Sequence, residues 1–284
     1  MSTFIKRNVR LFFRDRSAVF FSLLAVLIII GLYALFLGDV WLSEFPDSDS
    51  ARFLMDSWLI SGLLAVTSVT TTLGAFGIMV EDKAKKIAKD FYSAPIKRSS
   101  ISGGYLMSVV IIGMIMSVVA LVLSEIYVLA NGGQLPGVWE LTQVLGLIVL
   151  ATLSNTALMF FIVSFFKSMN AFTTASTIVG TLIGFIAGIY LPIGTLPEAV
   201  QTVVKVFPTS HAAALFRQVL MDAPMETAFA GAPQQALDEF NGMMGVTYKF
   251  GDFSVTPLMS IGFLTLTGIL FYLLAMMRMA KKRA

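Results

Sequence analysis

His211 is the single histidine in 284 residues, and there is no cysteine. A thiolate metal site and a disulfide framework are therefore impossible. Neither the phosphate-cradling GxxxxGK[ST] loop nor the zinc-hydrolase HExxH pattern occurs, so those two catalytic arrangements are missing as well. His211, just after Thr209 and Ser210, reads as a polar residue beside a helix start rather than a catalyst. What remains is charge, concentrated in EDKAKKIAKDFYSAPIKRSS at 81–100, with six of the twenty basic residues and one proline between two long apolar stretches. Such a segment can bind and be pushed; it cannot catalyse.

Composition fixes the solvent around that segment. With 57% hydrophobic and 13% charged residues and a mean hydropathy of +0.83, the chain falls outside the soluble globular range. Its apolar residues gather in runs of about 20, the length a helix needs to cross roughly 30 Å of hydrocarbon. The ten-residue alternation of a membrane β-barrel is absent. Six spans are expected, at 18–37, 54–80, 103–129, 141–166, 171–191 and 258–277, in an all-α polytopic membrane protein. The first run reads as a retained span, because GDVWLSEF follows it with no small-x-small cleavage site. Sixteen of the twenty Lys and Arg residues fall on one side of this arrangement, leaving Arg52, Lys205, Arg217 and Lys249 on the other. The positive-inside rule then places both termini and the 81–102 loop in the cytoplasm. The net charge of +3 is a topology signal and implies no nucleic-acid partner.

Several elements must position the charged segment. In STFIKRNVRLFFRDRS, Ile5, Val9, Phe12 and Phe13 share one helical side and Lys6, Arg7, Arg10 and Arg14 another, as in a helix at residues 1–17 lying in the membrane surface; charges that merely set topology are the alternative. Ala84, Ile87, Ala88 and Phe91 form an apolar stripe, so a helix is expected from Glu81 to Phe91. Glu81 and Asp82 suit its start and Lys89 its end, and Pro95 stops it. Between spans five and six, residues 192–257 suggest a small external helical cap. There Ala199, Val200, Val203, Val204 and Phe207 could face the bilayer, and Thr209 or Ser210 could cap a helix carrying Phe216 and Arg217 after Pro208.

Within the spans, Ser176, Gly180, Gly184 and Gly188 recur every four residues, a stripe that admits close approach of another helix. The hydroxyls from Thr67 to Thr72, with Thr67 and Thr71 foremost, either line a pathway or bond their own helix; Asn155 is the better candidate for an interhelical bond. No ionisable residue sits at a span centre; Asp56, Glu125 and Glu140 lie near outer ends. Ion-coupled transport usually keeps one at mid-membrane, so energy for uphill movement is expected from outside the bilayer.

Taken together, these residues resemble the permease subunits of type-2 ABC exporters over essentially the whole chain. Gly188, Pro192, Leu196, Pro197, Pro208 and Arg217 follow the order of that family's re-entrant external segment. Glu81, Asp82, Pro95 and Arg98 match its cytoplasmic motif, although many members carry a glycine where this chain has Ala84 and Lys85. The resemblance implies an interfacial helix, six spans, a cytoplasmic coupling helix and no ATPase site in this chain. ATP and Mg would belong to separate cytosolic ABC ATPase subunits, docked on Glu81, Asp82, Lys86, Ile87, Asp90, Phe91, Pro95 and Arg98. A second permease subunit, identical or related, would meet spans one, two and five in a bacterial cytoplasmic membrane and complete a pathway for an amphipathic drug, lipid, hydrophobic peptide or lipid-linked glycan. An ion-coupled secondary transporter and a membrane immunity or binding protein without transport are the rival readings.

Overall fold

The computed structural model describes residues 1–33, 35, 48–93, 95 and 98–281. Helix α1 (Ser2–Arg14) ends at Asp15, whose extended backbone terminates it and whose carboxylate accepts the Ala18 N–H at 3.1 Å to start α2 (Arg16–Leu32). One residue thus closes one helix and caps the next, and the two axes differ by 74°. The last residues expected in span one lie outside the described set.

Helices α3 (Ser48–Ala75) and α4 (Gly77–Ala84) form the second span, broken at Phe76, whose N–H reaches both Thr72 O and Leu73 O. Together they give an apolar rod of 35 residues from Ser50 to Ala84, about 52 Å at 1.5 Å per residue, so its last turns extend past the hydrocarbon. Helix α5 (Ile87–Ser93) follows, then α6 (Arg98–Ala130), α7 (Val138–Val163) and α8 (Met169–Ile186), the last started by Ser168 accepting the Ala171 N–H. After a 3-10 turn at Ile193–Thr195 come α9 (Glu198–Lys205), α10 (Pro208–Leu220), α11 (Asp222–Ala228) and α12 (Gln234–Met244). A two-residue hairpin, β1 (Lys249–Phe250) against β2 (Phe253–Ser254), leads into α13 (Pro257–Lys281). Among the described residues five helices are long and apolar enough to cross a membrane, and six if α1 and α2 count as one bent span. The all-α polytopic expectation holds.

Helix α3 is the axis of the molecule. Trp58, Leu59, Leu64, Ala65 and Val69 are fully enclosed on it, by α6, α7, α10 and α2. Its hydroxyls are spent locally: Thr67 donates to Leu63 O at 2.7 Å, Thr71 to Thr67 O at 2.6 Å and Thr72 to Ser68 O at 2.8 Å. Helix α13 packs along α7, while α8 rests against α3 and α4 and leaves most of its surface uncovered.

Two local expectations are corrected. The single helix from Glu81 to Phe91 is two helices, because Lys86 takes φ +63°, a left-handed conformation that side-chain-bearing residues rarely adopt. The turn falls directly after Ala84 and Lys85, where the resembling permeases carry the glycine that makes such angles cheap. On α1, Asn8 and Phe12 turn toward the bundle and are buried, and Phe13 is exposed. Polar partners cause this, since Ser108 accepts from Asn8 Nδ2 at 3.3 Å and Asp82 holds Arg7. Finally, Thr209 and Ser210 do not cap α10. Pro208 begins it without a side-chain cap, and the two hydroxyls donate elsewhere, to Asn155 and to Val204 O.

Candidate functional site

At the end carrying the amino terminus, the outermost helix α5 is tied to the bundle by one cluster. Arg7 holds Asp82 with both arms, Nη1 to Oδ2 at 2.8 Å and Nη2 to Oδ1 at 2.9 Å, and the Tyr105 hydroxyl donates to Oδ2 at 2.6 Å. The bidentate bond to Asp82 raises the Arg7 guanidinium above its ordinary value against the opposing effect of burial, so it stays charged at any physiological pH. That guanidinium also lies 5.1 Å from the Phe91 ring centroid, within cation–π range. Phe4 meets Phe91 edge-on at 5.0 Å and Tyr105 edge-on at 4.8 Å. The cluster therefore joins α1, α4, α5 and α6.

The predicted docking residues divide around it. Asp82 is buried and Ile87 and Phe91 are half-buried against this chain, whereas Lys86, Asp90 and Pro95 are exposed. Glu81 accepts from Lys85 Nζ at 2.5 Å, and that bond raises the ammonium above its usual value. The Arg98 side chain lies outside the described residues. Lys85 and Lys89 were not among the expected docking residues, yet both are exposed beside Lys86 and Asp90. Arg7 and Tyr105 were not singled out either. Arg7 looked like one topology charge among five, and no sequence signal links it to a carboxylate 75 residues away.

A second polar knot lies inside the bundle. Helix α10 is buried from Pro208 to Arg217, so this part of the segment between spans five and six is inserted among α3, α7 and α13. Asn155 bridges three helices: its Nδ2 donates to Ser68 Oγ at 2.7 Å, and its Oδ1 accepts from Thr209 Oγ1 at 3.1 Å. Near the other end of α10, Arg217 is fully buried. Its Nη2 donates to Ala187 O at 2.8 Å and Gly188 O at 2.9 Å, its Nη1 to Gly245 O at 3.3 Å, and it sits 5.1 Å from the Trp58 ring. The cation thus caps the carboxyl ends of α8 and α12, where carbonyl dipoles favour positive charge. Trp58 adds a bond from Nε1 to Met244 O at 2.9 Å. It passed in the sequence as an ordinary span residue.

The re-entrant motif residues surround this knot. Pro192 and Pro208 are buried, Leu196 is half-buried and Pro197 is the exposed cap residue of α9. Of the residues on α9 expected to face the bilayer, Val200 and Val203 are exposed, while Val204 turns inward onto Ile193, Ala214 and Tyr248.

The small-residue stripe does not present one uniform face. Gly188 sits just beyond α8 at φ +64°, with its N–H on Phe185 O and the Ile189 N–H on Gly184 O; this is a helix-ending turn that requires glycine. Gly184 is covered by Tyr190 of the same chain, whereas Gly180 has nothing within 4 Å of the position a Cβ would take. Ser176 is half-buried, and Thr173, Thr177, Ile178, Thr181, Leu182 and Phe185 are exposed on the same helix. The three threonine hydroxyls bond the carbonyls four residues back, leaving a smooth and nearly apolar surface.

Among the described residues no group of three or more His, Cys, Asp or Glu side chains could hold a metal. The arrangement can anchor an exposed helix and move with it. A broken second span with an outlying helix, a buried helix between spans five and six and a sparsely covered fifth span make up a polytopic membrane protein. Residues 44–277 match the family model described as ABC-2 family transporter protein, and the chain belongs to that family. No curated protein matches it.

Proposed function

We propose that this chain is the membrane subunit of an ATP-driven exporter, two permease subunits working with two cytosolic ABC ATPase subunits. The basic end, α5 included, faces the cytoplasm on the charge bias of the spans. One observation carries the reading: the turn before α5 and α5 itself present Lys85 and Lys86, then Lys89 and Asp90, outward while Phe91 is clasped by Phe4 and Arg7. A push on that exposed face is delivered through Arg7–Asp82 to span two and through Tyr105 to span three. ATP and Mg belong to the partner, whose closure supplies the push; this chain contributes the lever and the gate. The pathway forms where span five of each subunit faces its partner, and its substrate is an amphipathic molecule.

The test is co-purification with the ABC ATPase encoded beside the permease gene. Reversing the exposed charges, Lys89→Glu with Asp90→Lys, is expected to reduce recovery of the ATPase at least tenfold while the permease keeps its gel-filtration profile. Undiminished recovery would remove α5 from the docking surface.

A further inference from the structure

A cavity of about 240 Å³ opens at the end of the bundle remote from the amino terminus, between α3, α6, the turn at 134–137, the start of α7 and the α10–α11 junction. Phe53, Ile60, Val128 and Leu220 give it an apolar wall, and its two ionisable groups are both carboxylates, Glu125 and Glu140. No Lys, Arg or His lines it. Among the described residues, neither carboxylate has a hydrogen-bond donor or cationic partner in this chain. Arg52, at this end of the bundle, is already committed: it donates to Asn131 at 3.2 Å, and Asn131 and Tyr127 donate in turn to Asp56. The space for the Glu140 carboxylate exists because residue 137 is glycine, since a Cβ there would occupy it.

Half-buried carboxylates without partners are costly beside apolar walls. A ligand that brings a positive charge and an apolar body relieves both at once. A divalent metal would not, because Ca²⁺ requires six to eight oxygens and Mg²⁺ near-ideal octahedral geometry, and beyond two carboxylates the lining offers only Gln134 and a Ser57 hydroxyl already donated to Phe53 O. The volume is below the roughly 300–1,000 Å³ of sites that enclose a drug-sized molecule, so it accommodates a cationic head with one ring and lets a longer tail leave through the opening.

We infer that this cavity is a binding site for monovalent organic cations with an apolar body, the charge held by Glu125 and Glu140. The inference rests on the exporter reading and narrows it, naming lipophilic amines and quaternary ammonium compounds as the substrate class, bound within one subunit at its outer end.

Equilibrium dialysis of the purified full chain with benzyltrimethylammonium tests it, with phenylmethanesulfonate as an anion of similar size. Saturable binding of the cation is expected, at least tenfold tighter than the anion. Glu125→Gln and Glu140→Gln should each weaken it at least fivefold. Leu135→Arg, at an exposed lining position, should do the same with both carboxylates intact, so the result does not depend on either Gln variant folding. Absence of saturable cation binding, equal binding of the anion, or wild-type affinity in all three variants would overturn the inference. Co-purification of the ATPase is a separate readout: its failure with cation binding intact removes the exporter reading and leaves the site standing.

Discussion

Arg217 shows what a single residue does in this molecule. Burying an arginine without a carboxylate is unfavourable unless its donors are satisfied, and here three backbone carbonyls at two helix ends take up both Nη atoms, leaving Nε alone without a partner among the described residues. Replacement of complete buried ion pairs by apolar side chains is often neutral, but these carbonyls cannot be substituted away. Arg217→Met is therefore expected to destabilise the chain by about 3 kcal/mol, the scale of losing hydrogen bonds to a charged group. Arg217→Lys should recover less than half of that, because a point donor cannot span both helix ends as the guanidinium fork does. Thermal unfolding in detergent measures both, and an unchanged midpoint in the Met variant would refute the capping role. Asn155→Leu makes the contrast, since interhelical bonds within a membrane are worth only about 1 kcal/mol. The sequence singled out Asn155 as a candidate for an interhelical bond, and Arg217 through the order of the motif it shares with the resembling permeases. It did not disclose their partners, because Ala187, Gly188, Gly245, Ser68 and Trp58 lie 28 to 159 residues away, and local patterning carries no information about such pairings.

At the scale of elements, the spans were legible because a run of about 20 apolar residues has one stable form in hydrocarbon. The short elements at their ends were less so. The stripe of Ala84, Ile87, Ala88 and Phe91 is real from residue 87 onward, where the side chains turn inward, but Ala84 is exposed on the preceding helix. A periodicity argument assumes an unbroken rod, and the left-handed Lys86 cuts it. The consequence is that α5 is oriented by α1 rather than by continuity with span two. Phe4→Ala removes both edge-on ring contacts, each worth roughly 0.5–1.5 kcal/mol, and the ring 5.8 Å from the Arg7 guanidinium, while the Arg7–Asp82 hydrogen bonds keep both partners. Amide hydrogen exchange over 87–93 is expected to rise about tenfold, corresponding to ~1.4 kcal/mol. Maximal stimulation of the partner's ATP hydrolysis should fall, with its affinity for the permease within about threefold of wild type. Exchange no faster than wild type would mean that α5 is held by something other than this aromatic contact.

For the whole molecule, the decisive surface is the one the fold leaves open. Helix α8 crosses the membrane with Thr177, Ile178, Thr181 and Leu182 uncovered, and its hydroxyls are already spent on its own backbone. Lipid would tolerate that face, and so would the second permease subunit of the proposed assembly. The four members of the small-residue stripe are not equivalent probes. Leucine at Gly184 would collide with Tyr190 of the same chain, and any substitution at Gly188 meets a positive φ and Ile193, so loss of pairing in those variants would report damage within one subunit. Gly180 has open space around it, and Gly180→Leu adds bulk only toward a neighbour. That variant is expected to keep the wild-type unfolding midpoint while losing subunit pairing, and Gly184→Leu to lower the midpoint by several degrees. Because the natural chain contains no cysteine, Ile178→Cys gives a clean readout in native membranes: oxidation should form a covalent dimer at high yield when two copies pair, and Gly180→Leu in the same chain should reduce that yield at least fivefold. Retention of the cross-link with Gly180→Leu would place the pairing surface on a different span.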